Sequence, residues 1–112
     1  MIEKPKLTAG QAYANEVYKH LAVATKPLTK AEICERLGWE YNKNNERRVR
    51  EVISILAKRR AIIATSDQRG YKLAKTAEDV EEVKHQWAEI DGRIKELEER
   101  RTPLINFIEK VR

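Results

Sequence analysis

The sequence predicts a mainly α-helical protein with a small β-hairpin and a long C-terminal helix. Two observations lead to this prediction. Apolar residues recur at helical spacing in three segments before residue 60, and they do so again, in heptads, from residue 80 onward. Over residues 61–74 the period changes to that of two short strands flanking a polar turn. We therefore expect two parts, a domain over residues 1–75 and a helix over residues 76–112.

Capping boxes mark the start of the first two helices. In this arrangement the threonine side chain accepts the backbone N–H of the residue three positions later, and the Glu or Gln side chain of that residue accepts the backbone N–H of the threonine. The two pairs are Thr8 with Gln11 and Thr29 with Glu32. The first helix should end near Thr25, because Pro27 disfavours helical backbone at the residue before it. The second helix should end at Gly38, which suits a left-handed C-cap.

The third helix is expected in the basic segment of residues 42–60, which contains seven Lys or Arg and two Glu. Asn45 is its expected N-cap. A buried stripe is indicated by apolar residues at helical spacing, namely Val49, Val52, Ile53 and Leu56. The basic residues at the start of the segment lie off this stripe, so they can face outward without disturbing the core.

A β-hairpin is expected after the third helix. The runs AIIAT (61–65) and YKLA (71–74) predict its strands, and SDQRG (66–70) predicts a five-residue loop between them. Asp67 and Gly70 are turn-forming residues. Arg69 is expected at the tip of the loop.

The C-terminal segment has the heptad pattern of a coiled coil, with apolar residues in alternating steps of three and four. The predicted dimerisation positions are Val80, Val83, Trp87, Ile90, Ile94, Leu97, Leu104 and Ile108, and the pattern ends at Val111. Arg101 puts a charge in this seam. Pro103 predicts a kink or break near residues 102–103, with Thr102 capping a last short helix. We expect homodimerisation through this helix; the alternative is that the stripe packs on the chain's own domain.

Charge is distributed unevenly along the chain. Residues 1–75 contain 16 Lys or Arg against 8 Asp or Glu, whereas residues 76–112 contain 7 against 10. A basic front and a mildly acidic back indicate a polyanionic partner for the front part only.

Several function classes are not supported by the composition. The single cysteine, Cys34, excludes an internal disulfide and a cysteine-based zinc cluster, and the two histidines are far apart. We find no catalytic constellation and no phosphate-binding glycine loop, so we expect no enzyme activity, no metal and no cofactor. The N-terminal residues lack the apolar core of a signal peptide, and no apolar run approaches transmembrane length. We therefore expect a cytoplasmic protein without a membrane partner.

The order helix, helix, turn, helix, hairpin resembles that of a winged helix-turn-helix domain. LTKAEICERLGW (28–39) looks like the first helix of the helix-turn-helix, and NERRVREVISILAKRRAII (45–63) looks like the recognition helix running into a strand. SDQRGYKLA (66–74) is similar to the wing of regulators of the biotin-operon-repressor type. The resemblance covers residues 8–75. Small winged helix proteins of this size are also common in phages and mobile elements.

The resemblance implies that double-stranded DNA is the polyanionic partner. A recognition helix places its N-terminal residues in the major groove, where arginine can bond bidentately to guanine. The candidate DNA-binding residues are Lys43, Asn45, Arg47, Arg48 and Ser54 on the third helix, with Arg69 and Lys72 in the hairpin.

The function expected from these features is sequence-specific DNA binding by a small dimeric transcriptional regulator. One alternative is an architectural, recombination or replication accessory factor that uses the same domain to bend DNA or assemble on it. A second alternative is a protein-interaction adaptor whose winged helix binds no nucleic acid.

Overall fold

The computed structural model describes residues 8–65 and 70–112, and it confirms a mainly helical chain with a small hairpin and a long C-terminal helix. These residues form, in order, α1 (Ala9–Val23), α2 (Lys30–Leu37), α3 (Lys43–Ala57), β1 (Ile62–Ala64), β2 (Tyr71–Leu73), a short 3-10 helix (Ala77–Asp79) and α4 (Val80–Val111). The chain divides into two compact units, one up to Lys75 and one from Thr76.

The predicted caps of α1 and α2 are confirmed. Thr8 and Gln11 cap each other, with the Thr8 N–H 2.9 Å from Gln11 Oε1 and the Gln11 N–H 3.1 Å from Thr8 Oγ1. Thr29 and Glu32 do the same at the start of α2, and the hydrogen bond from the Thr29 backbone is the main reason why the pKa of Glu32 is lowered. Gly38 ends α2 in the left-handed conformation at φ 74°.

The predicted N-cap of α3 is wrong. Asn42, not Asn45, caps the helix: its backbone is extended, and its side-chain oxygen accepts the Asn45 N–H at 2.8 Å. Asn45 instead lies in the first turn, where its Nδ2 donates to the Glu40 carbonyl at 2.7 Å. Both positions hold asparagine, a preferred N-cap residue, so residue type alone does not distinguish them. The helix starts earlier than predicted because Asn42 caps it, while Asn45 hydrogen-bonds back to the turn before it.

The core lies in the first unit and joins α1, α2, α3 and β1. Its buried apolar residues are Ala14, Val17, Leu21, Leu28, Ile33, Cys34, Val49, Val52, Ile53, Leu56, Ile62 and Ile63. The four apolar positions predicted for α3 are all among them. Burial raises the pKa of the Cys34 thiol, as expected for a small core residue.

The hairpin is tied to the segment before α2. β1 and β2 pair antiparallel, with Ile63 opposite Lys72. On the other side of β2, the Leu28 N–H donates to the Tyr71 carbonyl at 2.9 Å and the Tyr71 N–H donates to the Leu28 carbonyl at 2.8 Å. Leu28 therefore adds a bridge to the two-stranded sheet and fixes the hairpin beside the start of α2.

The second unit consists of the 3-10 helix and α4, which runs unbroken through Pro103. The expected break and separate last helix at Thr102 are absent from residues 76–112. Thr102 is not an N-cap there, since its hydroxyl donates to the Glu98 carbonyl at 3.2 Å. Proline removes one backbone donor of the helix, and the turns on either side keep theirs. None of the helices described in residues 8–65 and 70–112 combines the length and the apolar character that a membrane span requires.

Candidate nucleic-acid interface

The outward face of α3 is basic in its first three turns. Lys43, Arg47, Arg50 and Ser54 are all exposed, while the opposite face is the buried stripe. The Arg47 side chain is 76% exposed, and its Nε lies 3.5 Å from Glu51 Oε1. An exposed ion pair of this kind contributes little free energy and exchanges readily for another anion. The guanidinium of Arg47 is therefore available to a ligand.

Arg48 is held in place by an aromatic pair. Its guanidinium carbon lies 4.2 Å from the centroid of the Trp39 ring and 5.9 Å from that of Tyr13. The two rings themselves meet edge to face, with centroids 4.9 Å apart. Arg48 Nη1 also donates to Asn45 Oδ1 at 3.2 Å. The Arg48 guanidinium thus has a fixed position at the edge of the basic face, and it packs on α1 and the turn as well as facing solvent.

Asn45 is half-buried, and its side chain is used within the protein. Its Nδ2 donates to the Glu40 carbonyl and its Oδ1 accepts from Arg48. A base-reading asparagine needs its amide free to pair with adenine. The contacts of Asn45 therefore assign it the task of fixing the turn and orienting Arg48.

The two candidate DNA-binding residues of the hairpin, Lys72 and Arg69, follow those of α3 in the sequence. Lys72 is half-buried in the middle of β2. Arg69 lies outside the residues that the structure describes. The structure thus brings Lys43, Asn45, Arg47 and Arg48 together in the first turns of α3, with Ser54 two turns farther on.

A polar cluster not expected from the sequence joins the starts of α2 and α3. Lys30 Nζ lies 3.4 Å from Glu46 Oε1, and the Tyr41 hydroxyl donates to Glu46 Oε2 at 3.1 Å. The hydrogen bond from Tyr41 is the main reason why the pKa of Glu46 is lowered, and the same bond raises the pKa of Tyr41. The Lys30 and Glu46 side chains are only about one-third exposed. The cluster links the start of α3 to the start of α2, and Lys30 and Glu46 are too far apart in sequence for a spacing rule to pair them.

Arg48→Ala is expected to destabilise the protein even without DNA. The substitution removes the cation–π contact with Trp39 and the bond to Asn45, a loss of about 1–2 kcal/mol in the free energy of unfolding. Arg47→Ala is the matched control and should change it by less than about 0.5 kcal/mol, because that side chain is exposed. Urea denaturation of both variants measures the difference. Equal stability of the two would show that the packing of Arg48 is energetically unimportant.

The predicted seam positions of α4 are exposed except for Val83, which is half-buried, and α4 contributes no buried residue to the described structure. Trp87 is 65% exposed, Leu97 59% and Leu104 66%. Two apolar residues missed by the heptad reading, Ile105 and Phe107, flank the seam and are 44% and 67% exposed. Ile105 directly follows Leu104 and Phe107 directly precedes Ile108, so their positions beside two seam residues could have revealed them in the sequence. An apolar stripe of this length on one helix indicates an interface.

Comparison with known proteins adds no assignment. No protein-family model, no curated protein and no solved structure is significantly similar to this chain.

Proposed function

We propose that the protein binds double-stranded DNA sequence-specifically as a homodimer, with α3 as the recognition helix. The observation that best supports this is the outward face of α3, which presents Lys43, Arg47 and Arg50 opposite a fully apolar buried face. A helix exposed in this way can enter the major groove without unfolding any part of the core.

The arrangement around α3 fits a winged helix-turn-helix. α2 ends at Gly38, the turn runs to Asn42, and α3 begins at Lys43. The early start of α3 shortens this turn and brings Lys43 into the helix. β1 and β2 follow α3 in the position of a wing, beside the start of α2.

The contacts of each arginine suggest separate tasks. Arg47 extends from the middle of the exposed face, so it is the residue we assign to a base edge. Arg48 is fixed against Trp39 at one side of the helix, so its remaining donors suit a phosphate oxygen. Phosphate contacts fix the register of the protein on the duplex, and base contacts supply the sequence preference.

A small dimeric transcriptional regulator is the role that these features support best. The exposed seam of α4 supplies the dimer contact, and two recognition helices related by two-fold symmetry would read a two-fold related site. The same domain would also serve an architectural, recombination or replication accessory factor. A bend in the bound DNA, measured by the mobility of circularly permuted fragments, would favour that second role.

Arg47→Ala should weaken binding to a site selected from a random DNA pool by about 1–3 kcal/mol, with a smaller loss on random DNA. The reason is that a lost base contact affects only the sequence it reads. Lys19→Ala is a matched control, because it removes one positive charge from the exposed face of α1. Fluorescence anisotropy at moderate salt measures the DNA dissociation constants of the unmodified chain and of both variants. Equal losses for Arg47→Ala and Lys19→Ala would remove α3 from the reading role.

The salt dependence of DNA binding distinguishes the proposed DNA-binding protein from the interaction adaptor. A protein that neutralises several phosphates loses DNA affinity steeply as salt rises, because counterions are released on binding. If no DNA from the random pool binds at low salt, the interaction adaptor is the favoured function.

A further inference from the structure

We propose that α4 pairs with the α4 of a second copy as a parallel, in-register coiled coil. This inference rests on the dimer of the proposed function and adds the orientation of its two chains. The charged residues beside the seam identify a second copy of the chain as its partner. They face opposite charges of that copy in a parallel pair and like charges in an antiparallel pair.

The seam is narrow and has charged or polar flanks over most of its length, and the apolar flanks Ile105 and Phe107 widen it near the end of α4. α4 has 32 residues and is about 48 Å long at 1.5 Å per residue. With Val80 at heptad position a, the seam occupies positions a and d. The flanking e positions are Lys84, Asp91, Glu98, Ile105 and Arg112, and the flanking g positions are Gln86, Arg93, Arg100 and Phe107. Such flanks set the orientation of the partner helix.

A parallel pair gains favourable charge contacts at these flanks. Each g residue then faces the e residue five positions later on the partner helix. Arg93 faces Glu98 in this arrangement, and the contact occurs twice because the pair is symmetric. The other three combinations are Gln86 with Asp91, Arg100 with Ile105, and Phe107 with Arg112, and none of them brings like charges together.

An antiparallel pair over the full seam gains no such contact. Position a of one helix then lies level with position d of the other, so that Val80 meets Val111 and Ile94 meets Leu97. In that alignment Arg93 lies beside Arg100 of the partner helix, and Asp91 lies beside Glu98. Each of these like-charge contacts occurs twice, so the antiparallel pair has four repulsive contacts at its flanks.

Arg101 is the one seam position that acts against the parallel arrangement. Two Arg101 side chains share a layer there, whereas an antiparallel pair would place Arg101 against Ile90. A long arginine side chain can extend along the helix and keep its guanidinium in water. One such layer is a smaller penalty than four repulsive flank contacts, so the parallel pair is favoured.

The orientation decides what kind of DNA site a dimer can use. In a parallel coil the first turns of both α4 helices lie together, and the chain joins each of them directly to a unit that contains an α3. Both units are then tethered at the same end of the coil, which suits two adjacent half-sites on one duplex. An antiparallel coil would tether them at opposite ends, about 48 Å apart.

Charge reversal at positions 93 and 98 tests the orientation in the full chain without DNA. In the parallel pair Arg93→Glu and Glu98→Arg should each weaken the dimer about three- to tenfold, and the double variant should recover most of the loss. In an antiparallel pair Arg93→Glu would meet Arg100 and tighten the dimer instead. The two arrangements therefore predict opposite signs, measured as the dimer dissociation constant by sedimentation equilibrium.

Asp91→Lys is the matched control. In the parallel pair it faces the uncharged Gln86, so the dissociation constant should change less than about twofold; in the antiparallel pair it would face Glu98 and tighten the dimer. Tightening by either Arg93→Glu or Asp91→Lys would overturn the proposal, as would a full-length chain that is monomeric at high concentration. A failure of DNA binding leaves these results unaffected, because no step of the test contains DNA.

Discussion

A chain that ends at Lys75 is expected to fold, to be monomeric and to bind a two-half-site DNA about 10²–10⁴ times more weakly than the full chain. It should fold because the buried apolar residues of the described structure all lie between Ala14 and Ile63. It should bind weakly because the second half-site is no longer held close to the first by a linked module. Circular dichroism, light scattering and anisotropy test the three parts separately.

A milder change keeps the whole chain and disrupts only the seam. Ile94→Asp with Leu97→Asp places two charges at seam positions that are 49% and 59% exposed in the single chain. The matched control is Ala88→Asp with Gly92→Asp, which adds the same charge at two exposed positions outside the seam. The seam variant should lose the dimer, and the control should keep it.

Two results would contradict dimerisation through the seam of α4. If the chain ending at Lys75 still dimerises, the contact between copies lies in the first unit. If the seam variant dimerises as tightly as its control, the exposed stripe of α4 is not the interface. Either result would leave the proposed role of α3 open to its own test.

Gly70→Ala is expected to lower the free energy of unfolding by about 3 kcal/mol or more. Gly70 has φ 119°, and a Cβ at this position would lie 2.0 Å from the carbonyl oxygen of Leu28. That oxygen accepts the Tyr71 N–H. Relief of the overlap would therefore have to break the bridge between β2 and the segment before α2, and the hairpin would lose its attachment.

Gly38→Ala separates backbone strain from this close approach. Gly38 also has a positive φ, 74°, but a Cβ there would meet nothing within 4 Å. It should lower the free energy of unfolding by only about 1 kcal/mol, the cost of the left-handed conformation itself. Urea denaturation of the two variants gives the comparison. Equal losses would show that the hairpin moves aside at little cost.

Local signals in the sequence were enough for most of the elements. The threonine caps of α1 and α2 depend on residues three positions apart, so their chemistry is complete within one turn. The stripe of Val49, Val52, Ile53 and Leu56 follows from helical period alone, and the structure buries all four. The heptad pattern likewise located α4. The break predicted at Pro103 is wrong, because one missing hydrogen bond does not end a helix whose neighbouring turns are intact.

Only the tertiary structure decided what the side chains of the candidate site contact. Arg47 and Arg48 are adjacent in sequence and equally basic, yet one extends into solvent and the other stacks on Trp39. Lys30 and Glu46 pair across two helices, and Gly70 lies against Leu28. Spacing along one helix or strand specifies which face a residue occupies. Which atoms meet that face depends on how separate elements pack, and that packing is a property of the whole core.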